Sequence, residues 1–76
     1  MPAVYRERDF VVYVNSSDHP PPHCHVWRAG EEWVVYLATF SVRFSRRPLP
    51  RYIRDSLTEH LDEIWEEWNE QHPPRS

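Results

Sequence analysis

Lysine is absent from this 76-residue chain, and cysteine, glycine and methionine occur once each. A single cysteine closes no internal disulfide, so nothing in the sequence points to an oxidising compartment. No apolar run approaches the ~18 residues of a membrane span, and no basic-then-apolar leader is present. These absences set the expectation of a cytoplasmic protein that does not enter a membrane. The formal charge of −3 argues against a generic nucleic-acid binder. All nine basic residues are arginine, for which a GC-rich coding sequence is the plain explanation.

What is present is aromatic. Four Trp, four Tyr and three Phe offset the small core that a chain of this length can build. Phe10-Val11-Val12-Tyr13-Val14 is β-branched and aromatic, which predicts a strand over about 8–15. Its continuous apolar run predicts a central strand with both faces covered. A second strand is expected over 23–28, a third over 33–37 and a fourth over 39–45, where Phe40, Val42 and Phe44 alternate with polar residues. The lone glycine, Gly30, falls between the second and third and predicts a hairpin turn at positive φ.

Ile53, Leu57, Leu61, Ile64, Trp65 and Trp68 recur at helical spacing, so one helix is expected over about 50–70, ahead of Pro73-Pro74 and a frayed tail at 72–76. The expected fold is a single α+β domain. A three- to four-stranded, mainly antiparallel sheet carries one C-terminal helix packed on one face.

The chemistry concentrates in Asp18-His19-Pro20-Pro21-Pro22-His23-Cys24-His25. Three prolines make a stiff run that joins neither a helix nor the interior of a sheet. On an extended strand His23 and His25 share a side and Cys24 takes the other. One reading is metal: His23, His25 and His19 as ligands, with Asp18 as a further ligand or as an orienting group, for zinc or nickel. A second is catalytic: His23 and His25, with His19 as a weaker candidate, as the acid–base pair of a metal-independent RNase. The third is structural, with Asp18 in an Asx-type turn and half-buried histidines bonded to main-chain oxygens. Cys24, facing away from both imidazoles, reads as a small buried hydrophobe.

Arg43, Arg46, Arg47, Arg51 and Arg54 crowd the approach to the helix, and Glu59, Asp62, Glu63, Glu66, Glu67 and Glu70 follow. On one continuous helix this order opposes the macrodipole. A phosphate or an acidic partner held by the arginines would offset it, as would local pairs such as Arg51–Asp55. RNA is therefore one candidate partner, and a protein partner or a homodimer is another. The acidic run reads as a solvated face or as a docking surface for a basic protein.

With these elements placed, the chain resembles the bacterial family called domain of unknown function 4160. The likeness runs from Met1-Pro2 through the first strand and is most specific at Asp18–His25. It resumes at Leu49-Pro50 and in the helical residues His60-Leu61 and Trp65, and so spans nearly the whole chain. Cys24 departs from the family, where an aromatic usually sits between the two histidines, and the strand-to-helix link is short. The resemblance implies a small cytoplasmic accessory protein of a toxin–antitoxin-like gene pair. A metal-independent RNase, a metal-binding module and a pure protein-interaction domain stand as alternatives, and whether the chain is an enzyme stays open.

Overall fold

The computed structural model describes residues 3–43 and 47–73. Among them the chain forms β1 (Tyr5–Glu7), β2 (Phe10–Tyr13), β3 (His23–Arg28), β4 (Glu31–Tyr36), β5 (Val42–Arg43), α1 (Arg51–Glu59) and α2 (Leu61–Gln71). The strands lie side by side in chain order as one antiparallel sheet. The α+β class, the antiparallel sheet and the C-terminal helical layer are as the sequence predicts. The details differ in three places, each for a physical reason.

The strand expected over 8–15 is the shorter β2, and an unexpected strand, β1, precedes it, so the sheet has five strands rather than three or four. Arg8, at φ 51°, turns the chain between β1 and β2, and Tyr5 pairs with Val12. Tyr5-Arg6-Glu7 is too short and too charged to carry a strand pattern, as suits an edge. β2 is not covered on both faces. Phe10, Val12 and Val14 are buried while Val11 and Tyr13 are half-exposed, because the helices cover one side of the sheet only.

The hairpin at Gly30 forms as expected, but its strand begins earlier. Arg28 pairs with Glu31, so Ala29 and Gly30 are the whole loop, at φ 47° and 82°. Both residues in the left-handed region is the two-residue turn that matches strand twist. The strand expected over 39–45 is cut to β5: Phe40, at φ 58° with its N–H bonded to the Tyr36 carbonyl at 2.8 Å, belongs to the turn before it, and Phe44 lies outside the described residues.

The single helix is two, divided at His60. Its φ of −101° and ψ of 13° leave the helical region, although Ile64 still donates to the His60 carbonyl at 3.1 Å. The ring stacks on Tyr5 at 4.0 Å, with Nδ1 3.0 Å from Glu63 and Nε2 3.3 Å from Glu7. This restart changes the charge argument. Asp62 and Glu63 fall in the first turn of α2, where carboxylates favour the helix dipole. Only α1 keeps the unfavourable order, with no acid in its first turn, and Arg51 and Asp55 form no ion pair.

One core joins the layers. Phe10, Val12, Val14, Cys24, Val26, Trp33 and Val35 from the sheet meet Ile53, Leu57, Ile64 and Trp68 from the helices. Trp68 is buried, whereas Trp65 is only partly so. Trp33 donates through Nε1 to the Arg47 carbonyl at 2.9 Å, which ties the link before α1 to the sheet. The opposite face of the sheet is left to other chemistry.

Candidate functional site

That open face carries His23, His25 and Trp27, while Cys24 and Val26 point into the core, as strand alternation demands. β3 is the central strand, so a side chain at its middle is flanked on both sides. His25 lies opposite Tyr13 on β2 and Val34 on β4. Its ring stacks on Tyr13 at 4.9 Å and 10°. The turn after β2 closes with Asp18 N–H donating to the Asn15 carbonyl at 3.3 Å, which brings the Asp18 carboxylate back over the face. The Pro20–Pro21 peptide, which is cis, then leads the chain into β3.

The result is a chain of contacts. Nε2 of His25 lies 2.7 Å from Asp18 Oδ2, and Nε2 of His23 lies 3.1 Å from the same oxygen. Nδ1 of His25 is 2.7 Å from Glu32 Oε2, and Nδ1 of His23 is 2.9 Å from the Pro21 carbonyl. Glu32 also accepts from the Tyr13 hydroxyl at 3.2 Å. The amide Nδ2 of Asn15 stands farther from His25 Nε2, at 3.5 Å. Both histidine side chains are 12% exposed and Asp18 20%.

The arrangement places four ring nitrogens against four oxygen contacts, and the bookkeeping of protons is informative. A neutral imidazole has one N–H and one lone pair. If His23 gives its Nδ1–H to the Pro21 carbonyl, its Nε2 lone pair faces a carboxylate. His25 meets carboxylates at both nitrogens. Something positive must stand between Asp18 and the two Nε2 atoms, either protons or a metal ion. One ligand atom from each of Asp18, His23 and His25 lies within 4.8 Å of the others. At metal–ligand bonds of ~2.1 Å neighbouring donors sit about 3.0 Å apart in right-angle geometry and about 3.4 Å apart in tetrahedral geometry, so separations of 2.7 and 3.1 Å suit the first and would widen around tetrahedral zinc.

Electrostatics follow from the same contacts. Burial works to raise the Asp18 carboxyl, but the hydrogen bonds and positive fields of His25 and His23 outweigh it and hold it below its usual value. Burial, then the charge of Glu32, raises the Tyr13 hydroxyl, which keeps it a donor. Burial pushes the Cys24 thiol up to about 12, so it is no nucleophile near neutral pH.

The helices reach the site at one end. Trp68 lies 5.3 Å from the His23 ring and stacks on His72 at 3.7 Å. His72 in turn places Nε2 2.9 Å from the Asp18 carbonyl and Nδ1 3.0 Å from that of Trp68.

Of the residues singled out in sequence, Asp18, His23 and His25 come together, while His19 is exposed and outside the cluster. The arginines do not form one patch. Arg43 lies on the open face, its guanidinium 5.8 Å over the Tyr36 ring. Arg47 reaches Glu31 at 3.5 Å, and Arg51 and Arg54 are exposed on α1, on the other side of the sheet. Arg46 lies outside the described residues.

Sequence reasoning missed Glu32, Trp68 and His72 as parts of the site. Glu32 was legible in principle. A two-residue loop at Ala29-Gly30 pairs it with Trp27 and so puts it on the His25 face.

Comparison with known proteins adds one result. The profile described as Domain of unknown function (DUF4160) matches residues 9–69, a span that holds the whole cluster. No curated protein and no solved structure matches the chain.

Proposed function

The chain belongs to the DUF4160 family, and because that description assigns no activity, we propose from the site itself that the protein is a metal-binding module. Asp18, His23 and His25 hold a divalent transition metal such as zinc or nickel, and the remaining coordination positions are open to water or substrate. The observation that carries this reading is the convergence of two imidazole Nε2 atoms on one Asp18 oxygen, with each Nδ1 held by another acceptor. A ligating histidine ordinarily gives its second nitrogen to a carboxylate or a carbonyl, which fixes its tautomer. Glu32 and Pro21 are those two groups.

Two imidazoles and one carboxylate suit borderline first-row metals, and three protein ligands are the donor count of catalytic rather than structural sites. The metal-independent RNase reading asks one nitrogen to be free for a 2′-hydroxyl, and every ring nitrogen here already faces an acceptor. The role of a bacterial, cytoplasmic accessory protein in a toxin–antitoxin-like pair, with a protein partner or a second copy, is the wider setting in which we place the module. It rests on the family resemblance. No described helix is long and apolar enough to cross a membrane.

The test is metal content and titration calorimetry on protein made without a histidine tag. The parent is expected to bind about one divalent ion. His23→Ala and His25→Ala each abolish binding, and Cys24→Ser leaves it unchanged. Binding weakens as pH falls, because protons compete for the imidazole lone pairs. A parent that takes up no zinc, nickel, iron or manganese overturns the proposal.

A further inference from the structure

The same open face carries two further features that the ion site does not use, one on either side of it along β3. Toward the end of the strand Trp27 is 46% exposed, alone among the large apolar side chains described. Register puts Arg6, Val11 and Trp27 in one row on this face. Trp27 and Arg6, with Arg8, Asp9, Phe10 and Val11, line a depression of about 280 Å³, and the Asp9 carboxylate there accepts from the Tyr52 hydroxyl at 2.7 Å. Toward the start of the strand Tyr36 pairs with His23, and Arg43 lies over its ring. Tyr36 and Arg43, with Pro21, Pro22 and the hydroxyls of Thr39 and Ser41, line a second depression of about 430 Å³. Neither Arg6 nor Arg43 has a carboxylate within ion-pair distance among the described residues.

Each depression thus pairs an aromatic ring with an unneutralised guanidinium, and the proposed ion lies between them. From Trp27 to His23 is four residues of strand, about 13 Å at the usual rise. Charge is divided across the molecule. Asp62, Glu63, Glu66, Glu67 and Glu70 ride on α2, on the far side of the sheet. On the open face, Glu32 and Asp18 are engaged by the histidines and would be offset by a divalent ion. Aromatic faces take nucleobases without regard to sequence, arginines take phosphates, and a divalent ion takes a phosphate oxygen.

We infer that this face binds a short segment of single-stranded nucleic acid, with bases against Trp27 and Tyr36, phosphates at Arg6 and Arg43, and the intervening phosphodiester over the ion. The inference rests on the metal reading for its last contact only. An acidic peptide would use the arginines and the ion but would leave the exposed Trp27 ring without a planar partner.

The experiment is fluorescence anisotropy of a labelled hexameric oligouridylate or oligothymidylate with the full chain, zinc-loaded and then in chelator, at several salt concentrations. Trp27→Ala is expected to weaken binding on the order of tenfold. Each of Arg6→Gln and Arg43→Gln should lower the salt slope by about 0.7. All three are exposed positions, and their zinc uptake should equal that of the parent. No binding at low salt by the zinc-loaded protein overturns the inference, as does a Trp27→Ala variant that binds like the parent. Equal competition by a glutamate-rich hexapeptide also overturns it. Binding that needs Trp27 and both arginines, in a protein that takes up no ion, sinks the metal reading and leaves the strand reading standing.

Discussion

Glu32 bears on His25 from a neighbouring strand, and its effect should be measurable without touching a ligand. Its carboxylate, 2.7 Å from Nδ1, fixes which nitrogen faces Asp18. Glu32→Gln keeps the size and an acceptor but removes the charge. Ion affinity is expected to fall about 10–100-fold in calorimetry at fixed pH, with a melting temperature near that of the parent because the residue is exposed. Unchanged affinity would mean that Glu32 has no hold on the ligand. At this scale the site was half legible. The alternation that puts His23 and His25 on one side and Cys24 on the other needs only a period of two. Asp18 joins them through a turn that its residue type favours. Glu32 needed the hairpin register, and His72 needed a contact across 54 residues of sequence, which no local pattern encodes.

Among the elements, the division between α1 and α2 is set by one side chain. The apolar stripe runs through Leu57, Leu61, Ile64 and Trp68 without a gap, so periodicity alone reads one helix. What interrupts it is the tertiary pull on His60 from Tyr5 and Glu7. The hydrogen bond to Glu63, with the charges of Glu63 and Glu7, raises the His60 pKa above its ordinary value, although burial opposes the rise. A histidine whose folded pKa is raised lends stability that is fully present below its unfolded value of ~6.5 and is lost as pH climbs through the folded one. The melting temperature of the parent should therefore exceed that of His60→Gln by more at pH 5.5 than at pH 8. A difference constant across that range would show that the ring acts through stacking alone. The strands were read better than the helices, since β3 has the expected bounds and Gly30 the expected turn. β1 was hidden because its three residues carry too little apolar character to stand out from a loop.

For the molecule as a whole, Trp68 is the joint between core and site. It is buried in the same core as Cys24, Ile53, Leu57 and Ile64, and its ring also lies against His23 and His72. Trp68→Ala is expected to cost about 3–5 kcal/mol in denaturant unfolding and to weaken ion binding in whatever fraction stays folded. Trp65→Ala, at a partly buried position, should cost less, a difference that helical spacing alone does not show. Equal costs would move the centre of the core away from Trp68. A domain this small has only a few kcal/mol to lose, so the first variant should sit near its unfolding transition at room temperature. The bond between His72 and the Asp18 carbonyl has a consequence in time as well as in space. During synthesis, residues 18–25 leave the ribosome well before the residues that steady them. At ~5–20 residues per second, the 54 positions that separate Asp18 from His72 amount to roughly 3–11 s. Through that interval residues 13–36 can already bring Asp18, His23, His25 and Glu32 together, and the side of the site that Trp68 and His72 cover stays open until the end of the chain arrives.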